Sequence, residues 1–128
     1  MLKPKSAFSS FSVDDLASAK KFYTETLKLK IDSERMGLTL SLPKGGGLFL
    51  YEKKNHKPAT FTVLNLIVGD IDKAVDELVS KGVRFEHYTG EIATDKKGIA
   101  RSNGAKSGPN IAWFKDPAGN ILSVIESK

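Results

Sequence analysis

The chain contains no cysteine, which excludes disulfide staples, thiolate nucleophiles and every Cys-containing zinc or iron–sulfur site. Its two histidines, His56 and His87, stand on different segments, with no spacing that brings two imidazoles to one metal. Long apolar runs are also missing. No window reaches the ~18 consecutive apolar residues of a membrane span, and Met1-Leu-Lys-Pro-Lys5 lacks the apolar stretch of a secretory leader. No Gly-x-Ser-x-Gly elbow occurs, and no serine has a histidine base that its spacing reveals. Basic residues exceed acidic ones by 20 to 15, a net charge of +5. The lysines are nevertheless dispersed, as in Lys20-Lys21, Lys53-Lys54 and Lys96-Lys97. None of these pairs grows into the roughly five to eight basic residues of a nucleic-acid patch. Neither a nucleic acid nor a membrane is therefore expected as partner. What remains is one domain of 128 residues, long enough to bury a core without covalent help and expected in the cytoplasm.

What the sequence does contain is periodicity. Phe8-Ser-Ser-Phe-Ser-Val13 alternates apolar and small polar residues and reads as a half-buried strand. Asp15 is placed to cap a helix, because its carboxylate can accept an otherwise unpaired amide of the first turn. Leu16, Ala19, Phe22, Tyr23 and Leu27 then follow at helical spacing, which predicts a helix over about 16–27. Short strands are predicted near 29–35, 37–42 and 47–52, with the Gly45-Gly-Gly47 turn before the last. That glycine run lacks phosphate-loop spacing and no helix follows it.

The pattern then repeats. A strand over 59–68 leads to the cap Asp70, and Ile71, Ala74, Val75, Leu78 and Val79 form a second helical stripe closed by Gly82. Strands are expected near 83–88, 98–102, 109–115 and 120–126, with Asp116-Pro-Ala-Gly-Asn120 as the hairpin between the last two. An offset of 55 residues places Asp15 on Asp70, and with it Val13 on Val68 and Ala19 on Ala74. The chain is thus read as βαβββ written twice, module one over about 5–55 and module two over about 59–128, in the α+β class. Two such modules, each with a curved sheet, would form a cup with the helices outside.

The residues carrying this pattern are Phe11-Ser-Val-Asp-Asp-Leu-Ala-Ser-Ala-Lys-Lys-Phe-Tyr23, Leu66-Ile-Val-Gly-Asp-Ile-Asp-Lys-Ala74 and Trp113-Phe-Lys-Asp-Pro-Ala-Gly-Asn-Ile-Leu-Ser-Val-Ile-Glu126. They resemble the vicinal oxygen chelate superfamily, which includes glyoxalase I, bleomycin-resistance proteins and extradiol dioxygenases. The resemblance implies a ligand cup and a homodimer. In metal-using members, it further implies a divalent ion held by His or Gln, Glu, His and Glu from the first and last strands of the modules. Carried onto this sequence, those positions are Phe8, Leu50 with Glu52 as a substitute, Val63 and Ser123. Phenylalanine, leucine and valine offer no donor to a divalent ion. The expectation is accordingly a protein without metal or other cofactor that binds or sequesters a small hydrophobic or aromatic molecule. Two alternatives stay open. One is a lyase, isomerase or dioxygenase of the same superfamily, using a metal or, without one, Glu52 as a general base raised by burial. The other is a regulatory module with a vestigial site.

Period-two alternation carries neighbours along with these positions. Phe8, Ser10 and Ser12, then Leu48, Leu50 and Glu52, then Val63, Asn65 and Ile67, and finally Ile121, Ser123 and Ile125 are expected to face the ligand. Phe11, Val13, Leu64, Leu66, Leu122 and Val124 are expected under the helices. Trp113 is a candidate stacking surface. The glycine-punctuated stretch 89–109 is a candidate flap, within which Arg101 could pair with an anionic ligand. Whether the cup forms within one chain or between two is left open.

Overall fold

A computed structural model describes residues 1–102 and 108–127. The chain divides into two compact units, Met1–Pro58 and Ala59–Lys128. Unit one runs β1 (Phe8–Val13), α1 (Leu16–Lys21), β2 (Lys30–Ser33), β3 (Leu38–Ser41) and β4 (Gly47–Glu52). Unit two runs β5 (Thr62–Val68), α2 (Ile71–Ser80), β6 (Ile99–Ala100), β7 (Ile111–Lys115) and β8 (Ile121–Glu126). Each unit is a βαβββ module with one four-stranded sheet, and the strand orders, β1-β4-β3-β2 and β5-β8-β7-β6, are the same topology. The first strand of each module pairs in parallel with the last, and the remaining pairs are antiparallel. The repeat seen in the sequence is therefore also a repeat of connectivity.

The helices begin where the aspartates stand. Asp15 and Asp70 are both extended, at φ −144° and −142°, and their carboxylates accept the amides of Ala17 and Lys73 at 3.1 Å. A second carboxylate reaches each helix start from the end of the module's last strand. Leu16 donates its amide to Glu52 Oε1 and Ile71 donates to Glu126 Oε2, both at 3.0 Å. These amides have no intrahelical acceptor, and the positive end of the helix dipole adds attraction for the anion. Because Val13 lies beside Glu52 and Val68 beside Glu126, parallel pairing delivers the carboxylate to the residue that opens the helix.

The predicted helix over 16–27 changes pitch part-way. Regular α-helix ends at Lys21, and Phe22–Thr26 forms a π turn that closes with Leu27 N–H donating to Phe22 C=O at 3.1 Å. The wider turn accompanies the complete burial of Tyr23, whose ring meets Phe22 edge-on at 5.3 Å and Phe11 at 6.3 Å. In α2 the predicted stripe buries Ile71, Val75 and Leu78, whereas Val79 lies largely exposed. The helix ends in a Schellman motif, with Val83 N–H donating to Leu78 C=O and Gly82 to Val79 C=O, both at 3.0 Å. Gly82, at φ 95°, takes the left-handed position that this ending requires.

The strand expected at 83–88 is reduced to one bridge, Phe85 to Phe114. Val83 and Phe85 still bury their side chains, so hydrophobic anchoring holds this segment without a ladder. The 116–120 hairpin is fixed from inside. Buried Asp116 accepts the amides of Asn120 at 2.8 Å and Ala118 at 3.0 Å, and the Asn120 side-chain amide at 3.0 Å.

Candidate functional site: the open sheet faces

Each sheet has one face covered by its helix and one open face, and register decides which residues lie where. In the first sheet Phe8, Ser10 and Ser12 stand beside Gly47, Phe49 and Tyr51, while Ser9, Phe11 and Val13 stand beside Leu48, Leu50 and Glu52. In-register neighbours share a face. Val13, Leu48 and Leu50 are completely buried, and Phe8 is 68% exposed. The open face therefore carries Phe8, Phe49 and Tyr51. This corrects the phase expected for β4. Leu50 is core under α1, not a ligand contact, and Glu52 is an exposed helix cap rather than a buried general base. Leu48-Phe-Leu-Tyr51 is apolar at every position, so alternation could not tell its two faces apart.

The open face of unit one borders a hollow of ≈ 860 Å³ that is open to solvent. Its aromatic wall is Phe8 edge-on to Phe49 at 6.4 Å, with Phe49 stacked on Tyr51 at 6.0 Å and 20°. Thr39 and Ser41 add hydroxyls, and Asp32, Arg35 and Met36 come from β2 and the turn after it. That turn is seated tightly. A Cβ on Gly37 would lie 2.6 Å from the Leu50 carbonyl oxygen and 2.7 Å from Phe49 Cζ. Sequence reading missed this arrangement, although the exposed apolar Met36 beside a glycine was a local sign of an unusual turn.

A second feature invisible to spacing is the contact of Ser12 Oγ with His56 Nδ1 at 2.6 Å, across 44 residues. The imidazole tautomer sets which atom donates, and the pair ties the segment after β4 back to β1.

In unit two the expected phase is the observed one for Asn65 and Ser123, which are register partners, as are Ser123 and Trp113. Ser123 Oγ donates to Asn65 Oδ1 at 2.5 Å and is fully buried. Trp113 meets Tyr88 edge-on at 5.4 Å. Val63 is the extra residue at an irregularity between Thr62 and Leu64.

Arg101 is not free for a ligand. It holds Asp72 through two hydrogen bonds, of 2.8 and 2.9 Å, and Asp95 through one of 2.9 Å. Lys97 Nζ joins the cluster, 2.9 Å from Asp72 and 3.0 Å from Asp76. The hydrogen bond from Arg101, reinforced by Lys97, holds the Asp72 carboxyl well below the usual carboxylate range. Arg101 and Lys97 are raised in return, first by their hydrogen bonds to Asp72. Partial burial would raise Asp95, but the Ile99 amide, Arg101 and the Lys97 amide outweigh it and lower it. Part of the candidate flap is thus anchored to α2 through residues 95–101, and its positions 103–107 lie outside the described residues.

With this geometry in hand, a family model described as the Glyoxalase/Bleomycin resistance protein/Dioxygenase superfamily matches residues 8–124. The chain belongs to this superfamily. No curated protein matches it. Solved structures of similar fold include a superfamily member from Sphaerobacter thermophilus DSM 20745, 24% identical over 95% of this chain and 98% of that one, with a TM-score of 0.67. TnmS3, an antibiotic binding protein from Streptomyces sp. CB03234, is 22% identical over 99% and 100% of the two chains, with a TM-score of 0.69. The fosfomycin resistance protein FosX from Listeria monocytogenes reaches 0.74 at 10% identity, over 99% and 96%. At such identities these are likenesses of fold.

The donor set can be tested against the divalent ion of metal-using superfamily members. Phe8 and Val63 have no donor, Leu50 is buried on the covered face, and Ser123 already bonds Asn65. Among the described residues no three His, Cys, Asp or Glu side chains cluster to hold a metal. The carried-over positions do not fit the ion. No described helix is long and apolar enough to cross a membrane.

Proposed function

We propose that this superfamily member is a binding protein that holds a small hydrophobic or aromatic molecule without a metal. The observation that carries the reading is the hollow of ≈ 860 Å³ in unit one, walled by Phe8, Phe49 and Tyr51. Pockets for small molecules commonly measure about 300–1,000 Å³, with apolar walls and a few orienting polar groups. Phe8 is 68% and Met36 96% exposed, so the hollow leaves apolar surface in water that a ligand would remove, at about 25 cal/mol per Å². Similarity of fold to a protein described as antibiotic binding supports the same reading. A homodimer in the cytoplasm goes with it as part of the proposal.

The test uses the neutral dye N-phenyl-1-naphthylamine, whose fluorescence rises in apolar surroundings. Saturable binding is expected, weakened about fivefold or more by Phe49→Ala, since truncating an aromatic that a ligand packs against costs about 1 kcal/mol or more. Absence of saturable binding, or an unchanged affinity in Phe49→Ala, overturns the proposal.

A further inference from the structure

The hollow in unit one is not purely apolar, and its charged groups carry information about the ligand. Arg35 and Asp32 both line it. Neither side chain has a hydrogen-bonding or ion-pairing partner among the described residues. Glu34, the neighbouring acid, is engaged by Lys20 at 2.9 Å and so does not neutralise Arg35. Arg35 is also placed rather than loose at its backbone. Its amide donates to Ser33 Oγ at 3.3 Å, Met36 follows at φ 59°, and Gly37 is pressed against the Phe49 ring. The turn thus fixes the Arg35 backbone, and its side chain lines the same hollow as the aromatic wall that would receive a ligand's flat body.

We infer that the hollow selects an aromatic molecule bearing one anionic group, with Arg35 as the residue that reads the charge. This rests on the proposed binding function and narrows it to a ligand class. A guanidinium offers a planar fork of donors that matches a carboxylate, sulfonate or phosphate. Beside an apolar wall such a pair is less screened than one in open water. Asp32 works in the opposite sense. Its carboxylate repels negative charge elsewhere in the hollow, favouring a single anionic group placed against Arg35.

Two dyes sharing one aromatic framework provide the test: neutral N-phenyl-1-naphthylamine and its sulfonate, 1-anilinonaphthalene-8-sulfonate. Arg35→Gln is expected to weaken the sulfonate about tenfold or more, the scale of a charged hydrogen bond, and to change the neutral dye less than about twofold. Asp32→Asn is expected to strengthen the sulfonate alone. Both substitutions lie on exposed positions, and an unchanged melting temperature would show that the fold is retained. If Arg35→Gln weakens both dyes equally, or neither, the charge-reading inference is overturned while the hollow remains a binding site. If the neutral dye fails to bind the wild-type protein, or binds Phe49→Ala unchanged, the underlying reading falls and the inference with it.

Discussion

Replacing Leu50 and Phe49 separately by alanine distinguishes the two phases that β4 could adopt, because one register exchanges the fates of these neighbours. In the structure Leu50 is completely buried under α1, beside Phe11 and opposite Leu38. Leu50→Ala removes a wholly enclosed side chain and leaves a cavity that closes only in part, at a cost of about 3–5 kcal/mol. That is a large share of the roughly 5–15 kcal/mol that holds a domain of this size together. At about 4 °C per kcal/mol, the melting temperature should fall by at least about 10 °C. Phe49 is only partly buried on the open face, so Phe49→Ala loses less burial, about 2–3 kcal/mol. It should instead weaken the neutral dye, which Leu50→Ala should bind with near-normal affinity wherever it remains folded. Urea unfolding monitored by circular dichroism gives the stabilities, and fluorescence titration gives the affinities. A crossed pattern supports the register. A nearly neutral Leu50→Ala together with a severely destabilised Phe49→Ala would refute it and would return Leu50 to the ligand side.

Two further outcomes follow from the polar contacts. Because Asp72 titrates below its unfolded value near 3.8, its ion cluster contributes its full stability above that pH and loses it as acid protonates the folded carboxyl. Melting temperature measured from about pH 6 down to 2 should therefore fall more steeply for the wild-type protein than for Asp72→Asn, and parallel profiles would contradict the linkage. Glu126→Gln replaces a carboxylate that accepts from both the Ile71 amide and the Asn110 side chain, at 3.0 and 2.9 Å. A loss of about 0.5–2 kcal/mol is expected by denaturant unfolding, and an unchanged midpoint would show that the cap carries no net stability.

How much of this was legible in the sequence depended on the range of the interaction involved. The caps at Asp15 and Asp70, the stripe of α2 and the Asp116–Asn120 hairpin were readable because each is decided within a few residues. The 55-residue offset was readable because each module repeats those local decisions in the same order. The candidate site was less legible. The common face of Asn65 and Ser123 was legible from period-two alternation, whereas the place of Trp113 beside Ser123 came only from the pairing of β7 with β8. Glu52 and Arg101 were misread because their partners, Leu16 and Asp72, lie 36 and 29 residues away, and no spacing announces such a pairing.

The sequence by itself determined the βαβββ repeat, the helix starts and the absence of metal donors at Phe8 and Val63, since residue identity and short-range periodicity suffice for these. Tertiary structure decided the rest. Parallel pairing of β1 with β4 chose which face of Leu48-Phe-Leu-Tyr51 is core, carried Glu52 to the start of α1, and left Phe49 and Tyr51 lining the same hollow as Arg35, while parallel pairing of β5 with β8 carried Glu126 to the start of α2. The physical reason is that a strand apolar on both faces has no preferred side until a helix covers one of them.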